Sequence, residues 1–167
     1  MGGYILDTSV LSAHLDPSHH RHDDVRKAFE ALDQNAAQFI SAISLAELTF
    51  GVRMAEAFGG KSLPSLQQML LDAQAYAVLD VAHHTSAAYA ELKTNLAKRY
   101  LVKASRRDRP RWLEEWVDKT TGQRLQVDEN DLWMCAQVKE RDLILVTADD
   151  HMRRIADADP QVQLLIL

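Results

Sequence analysis

Five short, apolar, β-prone runs recur along the chain with longer helix-periodic segments between them: Gly3 to Leu6, Gln38 to Ala42, Ala77 to Val81, Leu143 to Val146 and Gln163 to Leu167. Strands this short and continuously apolar, each followed by a helix, have no wet face. They imply an α/β fold with a parallel five-stranded sheet flanked by helices on both sides. With 167 residues, 47% of them apolar, the chain fits one domain over residues 1–167, burying roughly two-thirds of its unfolded surface.

Helix signals fill the gaps. Asp16-Pro17 opens an amphipathic helix through Phe29 and Leu32, and Ser44 opens another ending near Gly59-Gly60. Ser62 with Pro64 starts a third ending near Tyr76, and residues 83–100 place Ala87, Leu92 and Leu96 in one stripe. Residues 103–126 break the alternation. Here a basic loop precedes a short amphipathic helix with Trp112, Leu113, Trp116 and Val117, an excursion from the sheet. Two readings stand for it: a flap whose tryptophans pack on the body, or a clamp for nucleic acid or a partner.

The net charge of −5 argues against a protein that coats nucleic acid by bulk electrostatics. The distribution is uneven, because Lys98, Arg99, Lys103, Arg106, Arg107, Arg109 and Arg111 face only Asp108 between residues 98 and 111. Arg106, Arg107 and Arg109 are the candidate contacts to a nucleic-acid backbone, the alternative being a solvated surface. The first basic residue is Arg21 and no apolar run approaches a membrane span, so the expectation is a soluble cytoplasmic protein with no membrane partner. The single cysteine, Cys135, stands among apolar helical neighbours as a small buried hydrophobe. His19 and His22 have the i, i+3 spacing of a zinc pair, although solvated surface histidines account for them better.

Four acids occur where a run ends or a crossover helix begins: Asp7 in YILDTSV, Glu47 in ISLAELTFG, Asp131 in ENDLWMCA and Asp149 in LILVTADD. In right-handed βαβ units every crossover helix starts at the carboxyl edge of the sheet, where ligands of open α/β folds bind. Each acid alone has a structural role, since Ser44 to Glu47 has the pattern of a capping box and the others can cap the helix or turn next in the chain. Capping does not explain convergence. Carboxylates within ~4–6 Å repel and raise one another's pKa, and a hard divalent cation such as Mg²⁺ or Mn²⁺ removes that penalty.

These four segments, in this order from Gly3 to about Ile155, resemble the motifs of PIN-domain ribonucleases, and most nearly the toxin members of VapBC toxin–antitoxin systems. The resemblance implies Mg²⁺- or Mn²⁺-dependent endoribonuclease activity on RNA, frequent homodimerisation, and inhibition by a cognate antitoxin. By resemblance, Asp7, Glu47, Asp131 and Asp149 are catalytic, with Asp7, Asp131 and Asp149 holding the metal and Glu47 orienting water or a second ion. Ser9 and Thr147 would fix a carboxylate or phosphate oxygen, or act as caps, and Asp150 is the second choice for the fourth acid. The excursion before Asp131 is longer than the family's usual connection, and Met152 replaces a common aromatic.

Other chemistries fit less well. A haloacid-dehalogenase phosphatase needs D-x-D at the first strand, yet Thr8 and Ser9 follow Asp7. A receiver domain needs a lysine after the last strand, and a serine hydrolase needs a G-x-S-x-G elbow. A non-catalytic module that binds RNA or a basic partner in the acidic groove, and a metal-dependent DNA nuclease, remain as alternatives.

Overall fold

The computed structural model describes residues 2–101 and 109–167. Strands β1 (Tyr4–Leu6), β2 (Gln38–Ser41), β3 (Ala77–Leu79), β4 (Ile144–Thr147) and β5 (Gln163–Ile166) pair in parallel in the order β3-β2-β1-β4-β5. All five expected runs are strands. Gly3 lies at the entry to β1, where a Cβ would stand 2.5 Å from the Ala37 carbonyl oxygen, so only glycine fits between the strands.

Period-two alternation sends neighbouring residues to opposite cores. Ile5 and Leu145 face one core, with α5 (His83–Tyr100), α6 (Glu129–Arg141) and α7 (Arg153–Ala158). Leu6, Ile40 and Val146 face the other, with α1 (Thr8–Leu15), α2 (His22–Glu30), α3 (Ala42–Phe58) and α4 (Leu63–Ala73). The central strands β1 and β4 are therefore covered on both faces, while the edge strands β3 and β5 keep exposed positions such as Val78 and Leu165.

Three expectations are corrected. Asp16-Pro17 ends a helix instead of opening one: the Asp16 carboxylate accepts from the backbone N–H and hydroxyl of Ser18 at 2.9 and 2.7 Å, closing a turn, and α2 begins only at His22. His19 and His22 thus do not share a helix. The cap of α3 is Ser41, whose hydroxyl accepts from the Ile43 N–H at 3.0 Å, while Ser44 is buried 3.4 Å from the Met134 sulfur. Glu47 is consequently in the second turn of α3 and takes no part in a capping box.

The third correction concerns the excursion. Its amphipathic helix is a single 3₁₀ turn, Leu113–Glu115, and its two tryptophans part company. Trp116 is fully buried with Leu113, Leu125 and Val127 in the core of α5 and α6, its indole N–H donating to the Pro110 carbonyl at 3.1 Å, whereas Trp112 is 53% exposed. The described part of the segment is packed on the body by Trp116. In α5, Ala87 is exposed, and Leu92 and Leu96 carry the buried stripe. Cys135 is buried in α6, as its neighbours indicate.

The chain leaves β1 toward β2 and β3 on one side and returns to β4 and β5 on the other. The crevice of such a sheet opens between the carboxyl ends of β1 and β4.

Candidate active site

Asp7 follows β1 and Thr147 ends β4, adjacent strands paired through Leu6 and Val146. Asp7 occupies the N-cap position of α1, yet its carboxylate makes no capping bond. Instead the hydroxyls of Ser9 and Thr147 both donate to its Oδ2, each at 2.7 Å, and the residue is buried. The Thr147 oxygen also accepts from the Asp149 N–H at 3.1 Å. The Asp149 carboxylate accepts from the His151 N–H at 2.8 Å, opening a 3₁₀ turn.

Asp131 enters from α6. Its carboxylate accepts from the Asp128 N–H at 2.9 Å while the Asp128 carboxylate accepts from the Asp131 N–H at 2.9 Å, a reciprocal box that starts the helix. Burial, opposed by the bond from Asp128 and reinforced by repulsion from Asp128, Asp7 and Asp149, pushes the Asp131 carboxyl up to about 8. That repulsion records the convergence of three acids from β1, α6 and the turn after β4.

Glu47 stands apart from the three. Asn130 donates its amide to Glu47 Oε1 at 2.7 Å and the Thr8 hydroxyl donates to Oε2, so both oxygens are held by neutral groups. Successive residues at the start of α6 face three ways, since helical positions turn by about 100°. Glu129 meets Lys93 and Tyr89, Asn130 meets Glu47, and Asp131 meets the acids.

Asp150 projects outward, 79% exposed and paired with Arg153 at 3.3 Å, whereas Asp149 is half-buried in the turn after β4. Arg106 and Arg107 lie outside the described residues, and Arg109 is exposed. Sequence reasoning missed Thr8 and Asn130, the two partners of Glu47. Their signal was adjacency, one directly after Asp7 and the other directly before Asp131.

Among the described residues, none of the four acids pairs with a lysine, arginine or histidine. Among the same residues, no three histidine, cysteine or acidic side chains close on a single point for a metal ion. The donor set is nonetheless the right kind for Mg²⁺ or Mn²⁺, being all carboxylate oxygen with hydroxyls behind it. Magnesium typically takes one or two carboxylates and retains water on its other faces.

A sequence model of the PIN domain matches residues 4–158. The chain belongs to the PIN-domain family. Its PIN fold is similar to that of VapBC2 from Rickettsia felis bound to a promoter DNA fragment, with 22% identity, a TM-score of 0.66, and coverage of 98% of this chain and 97% of that one. VapBC-5 from Mycobacterium tuberculosis aligns over 100% of both chains at 21% identity and a TM-score of 0.64. FitAcB from Neisseria gonorrhoeae aligns over 97% of this chain and 96% of that one at 24% identity and a TM-score of 0.62. At such identities the PIN fold is what these proteins share. A comparison with curated proteins by sequence finds no match.

Proposed function

We propose that this PIN domain is a cytoplasmic, metal-dependent endoribonuclease, the toxin of a type II toxin–antitoxin pair, which hydrolyses RNA phosphodiesters at Asp7, Glu47, Asp131 and Asp149. The observation that carries the proposal is the half-buried Asp131 standing within repulsive reach of Asp7 and Asp149 at the sheet crevice, its carboxyl raised to about 8. Among the described residues, none of these three acids has a basic partner. Asp7, Asp131 and Asp149 would hold Mg²⁺ or Mn²⁺. A bound divalent ion there lowers the pKa of its water and offsets charge developing on the phosphate.

The chain's own side chains supply the rest. Ser9 and Thr147 fix Oδ2 of Asp7, and Glu47, held by Asn130 and Thr8, would orient the attacking water or hold a second ion. No protein nucleophile is needed. Beyond α6, a cavity of about 560 Å³ is lined by Lys93, Arg109, Pro110 and Arg111, with the Arg111 guanidinium 4.8 Å from the Trp112 ring. Arg109 and Arg111 beside an exposed aromatic suit an RNA backbone and support Arg109 as a phosphate contact, while Arg106 and Arg107 are proposed with it from the sequence alone.

The toxin assignment draws support from two solved structures whose descriptions name VapBC proteins, one of them a member of a family of toxin–antitoxin systems. A cognate antitoxin and a second copy of the chain are the proposed protein partners. Phe50, Met54 and Phe58 on α3 and Leu71 on α4 are exposed by 64, 42, 79 and 61%, an apolar surface suited to either. Labelled RNA and matched DNA incubated with the purified protein and Mg²⁺, Mn²⁺ or EDTA test the activity. Cleavage of RNA alone, and only with metal, is expected. Equal cleavage of DNA would make the protein a general nuclease, and no cleavage would make it a binding module.

A further inference from the structure

We infer that Asn130, together with Thr8, is a positioning residue that sets the orientation of Glu47 in the crevice, a deepening that rests on the nuclease reading. A carboxylate only accepts, so the atom of Asn130 that lies 2.7 Å from Glu47 Oε1 is its amide nitrogen. Thr8 supplies the second bond, to Oε2. The two donors come from α6 and α1 and reach a residue on α3, so three separate segments meet at one side chain.

Neighbouring residues show why the donors are neutral. Glu129, one position before Asn130, is salt-bridged by Lys93, which compensates its charge and fixes it away from the other acids. A lysine at position 130 would do the same to Glu47. An amide and a hydroxyl instead hold the carboxylate in place without adding a compensating positive charge, free to orient water or share an ion. Without them the carboxylate has no hydrogen-bond partner among the described residues. On its open side lies a cleft of about 600 Å³ whose lining includes Ser12, Phe50, Leu66 and Met69, into which a long flexible glutamate can swing.

The link between Asn130 and Asp131 is covalent, so the same turn that delivers one acid to the centre also aims another. Asn130 touches no reacting atom in this scheme. Its effect passes through Glu47, as outer partners of catalytic carboxylates generally act.

The test is a double-mutant cycle. Asn130→Ala, and the isosteric Asn130→Asp that removes the donor, are each made in the wild-type chain and in Glu47→Gln, and assayed on labelled RNA with Mn²⁺. Asn130→Ala should lower kcat about 10- to 100-fold with little change in KM. In the Glu47→Gln background it should add under about threefold. Wild-type kcat in Asn130→Ala, or a full multiplicative loss on top of Glu47→Gln, would overturn the inference, with circular dichroism confirming that each variant is folded. A readout independent of activity is the Asn130 side-chain amide signal in ¹⁵N spectra, which should move in Glu47→Ala. If the wild-type chain cuts no RNA, the nuclease reading fails by itself, and an amide signal unmoved by Glu47→Ala then rejects the contact.

Discussion

The hydroxyl of Thr147 at the end of β4 donates to the carboxylate of Asp7 at the end of β1 over 2.7 Å, tying together the two strands that flank the crevice. Because the same oxygen accepts the Asp149 N–H, a single hydroxyl sets both acids. Thr147→Val, which keeps the shape and deletes the hydroxyl, should reduce RNA cleavage about 10- to 100-fold, and Thr147→Ser should restore most of it. Steady-state rates with saturating Mn²⁺ check this.

Asp7→Asn and Asp131→Asn should each abolish metal-dependent RNA cleavage and leave the fold intact. Asp7→Asn removes a charge from a crowded centre, and Asp131→Asn replaces a half-buried carboxyl raised to about 8 with a group that never ionises. Melting temperatures at neutral pH in EDTA should therefore stay level or rise. Full activity in either purified variant would remove that residue from the mechanism.

Asp131 contributes a pH dependence to metal-free stability. Burial raises its carboxyl from 3.8 to about 8, so the folded protein keeps a proton that the unfolded chain gives up. The stabilising contribution is complete below the unfolded value and is lost as pH climbs through the folded one. Urea unfolding in EDTA should show stability falling between about pH 4 and pH 8, and Asp131→Asn should flatten that slope. The amide oxygen of asparagine can still accept from the Asp128 N–H, so the helix cap survives.

Replacing Arg106, Arg107 and Arg109 by serine should raise KM for RNA and flatten its salt dependence, because phosphate contacts release counterions. Unchanged KM across several salt concentrations would contradict a steering role.

Trp116 anchors the excursion and Trp112 does not. Trp116→Ala should cost about 3–5 kcal/mol in urea unfolding, while Trp112→Ala should stay within about 0.5 kcal/mol. Similar costs for both would place the two rings in similar surroundings, against their exposures of 0 and 53%.

The sheet is legible because its strands are unbroken apolar runs, a pattern that only double burial explains. The edge to which Asp7, Asp131 and Asp149 converge is fixed by strand order and crossover handedness. Helix starts are less legible, because Asp, Ser and Pro serve turns and caps alike: Asp16-Pro17 makes a turn, and Ser41 outcompetes Ser44. The capping box that would give Glu47 a purely structural role does not form, and its partners Thr8 and Asn130 are distant in sequence. Trp112 and Trp116 are alike in composition and opposite in burial, since a 3₁₀ turn does not keep the α-helical stripe.

The start of α6 acts as a three-way selector. A slip of one residue there would hand an amide to Lys93 and press a carboxylate against Glu47, spoiling two contacts at once. Drift can therefore lengthen or shorten the approach to this helix, but the phase in which it begins tolerates no change.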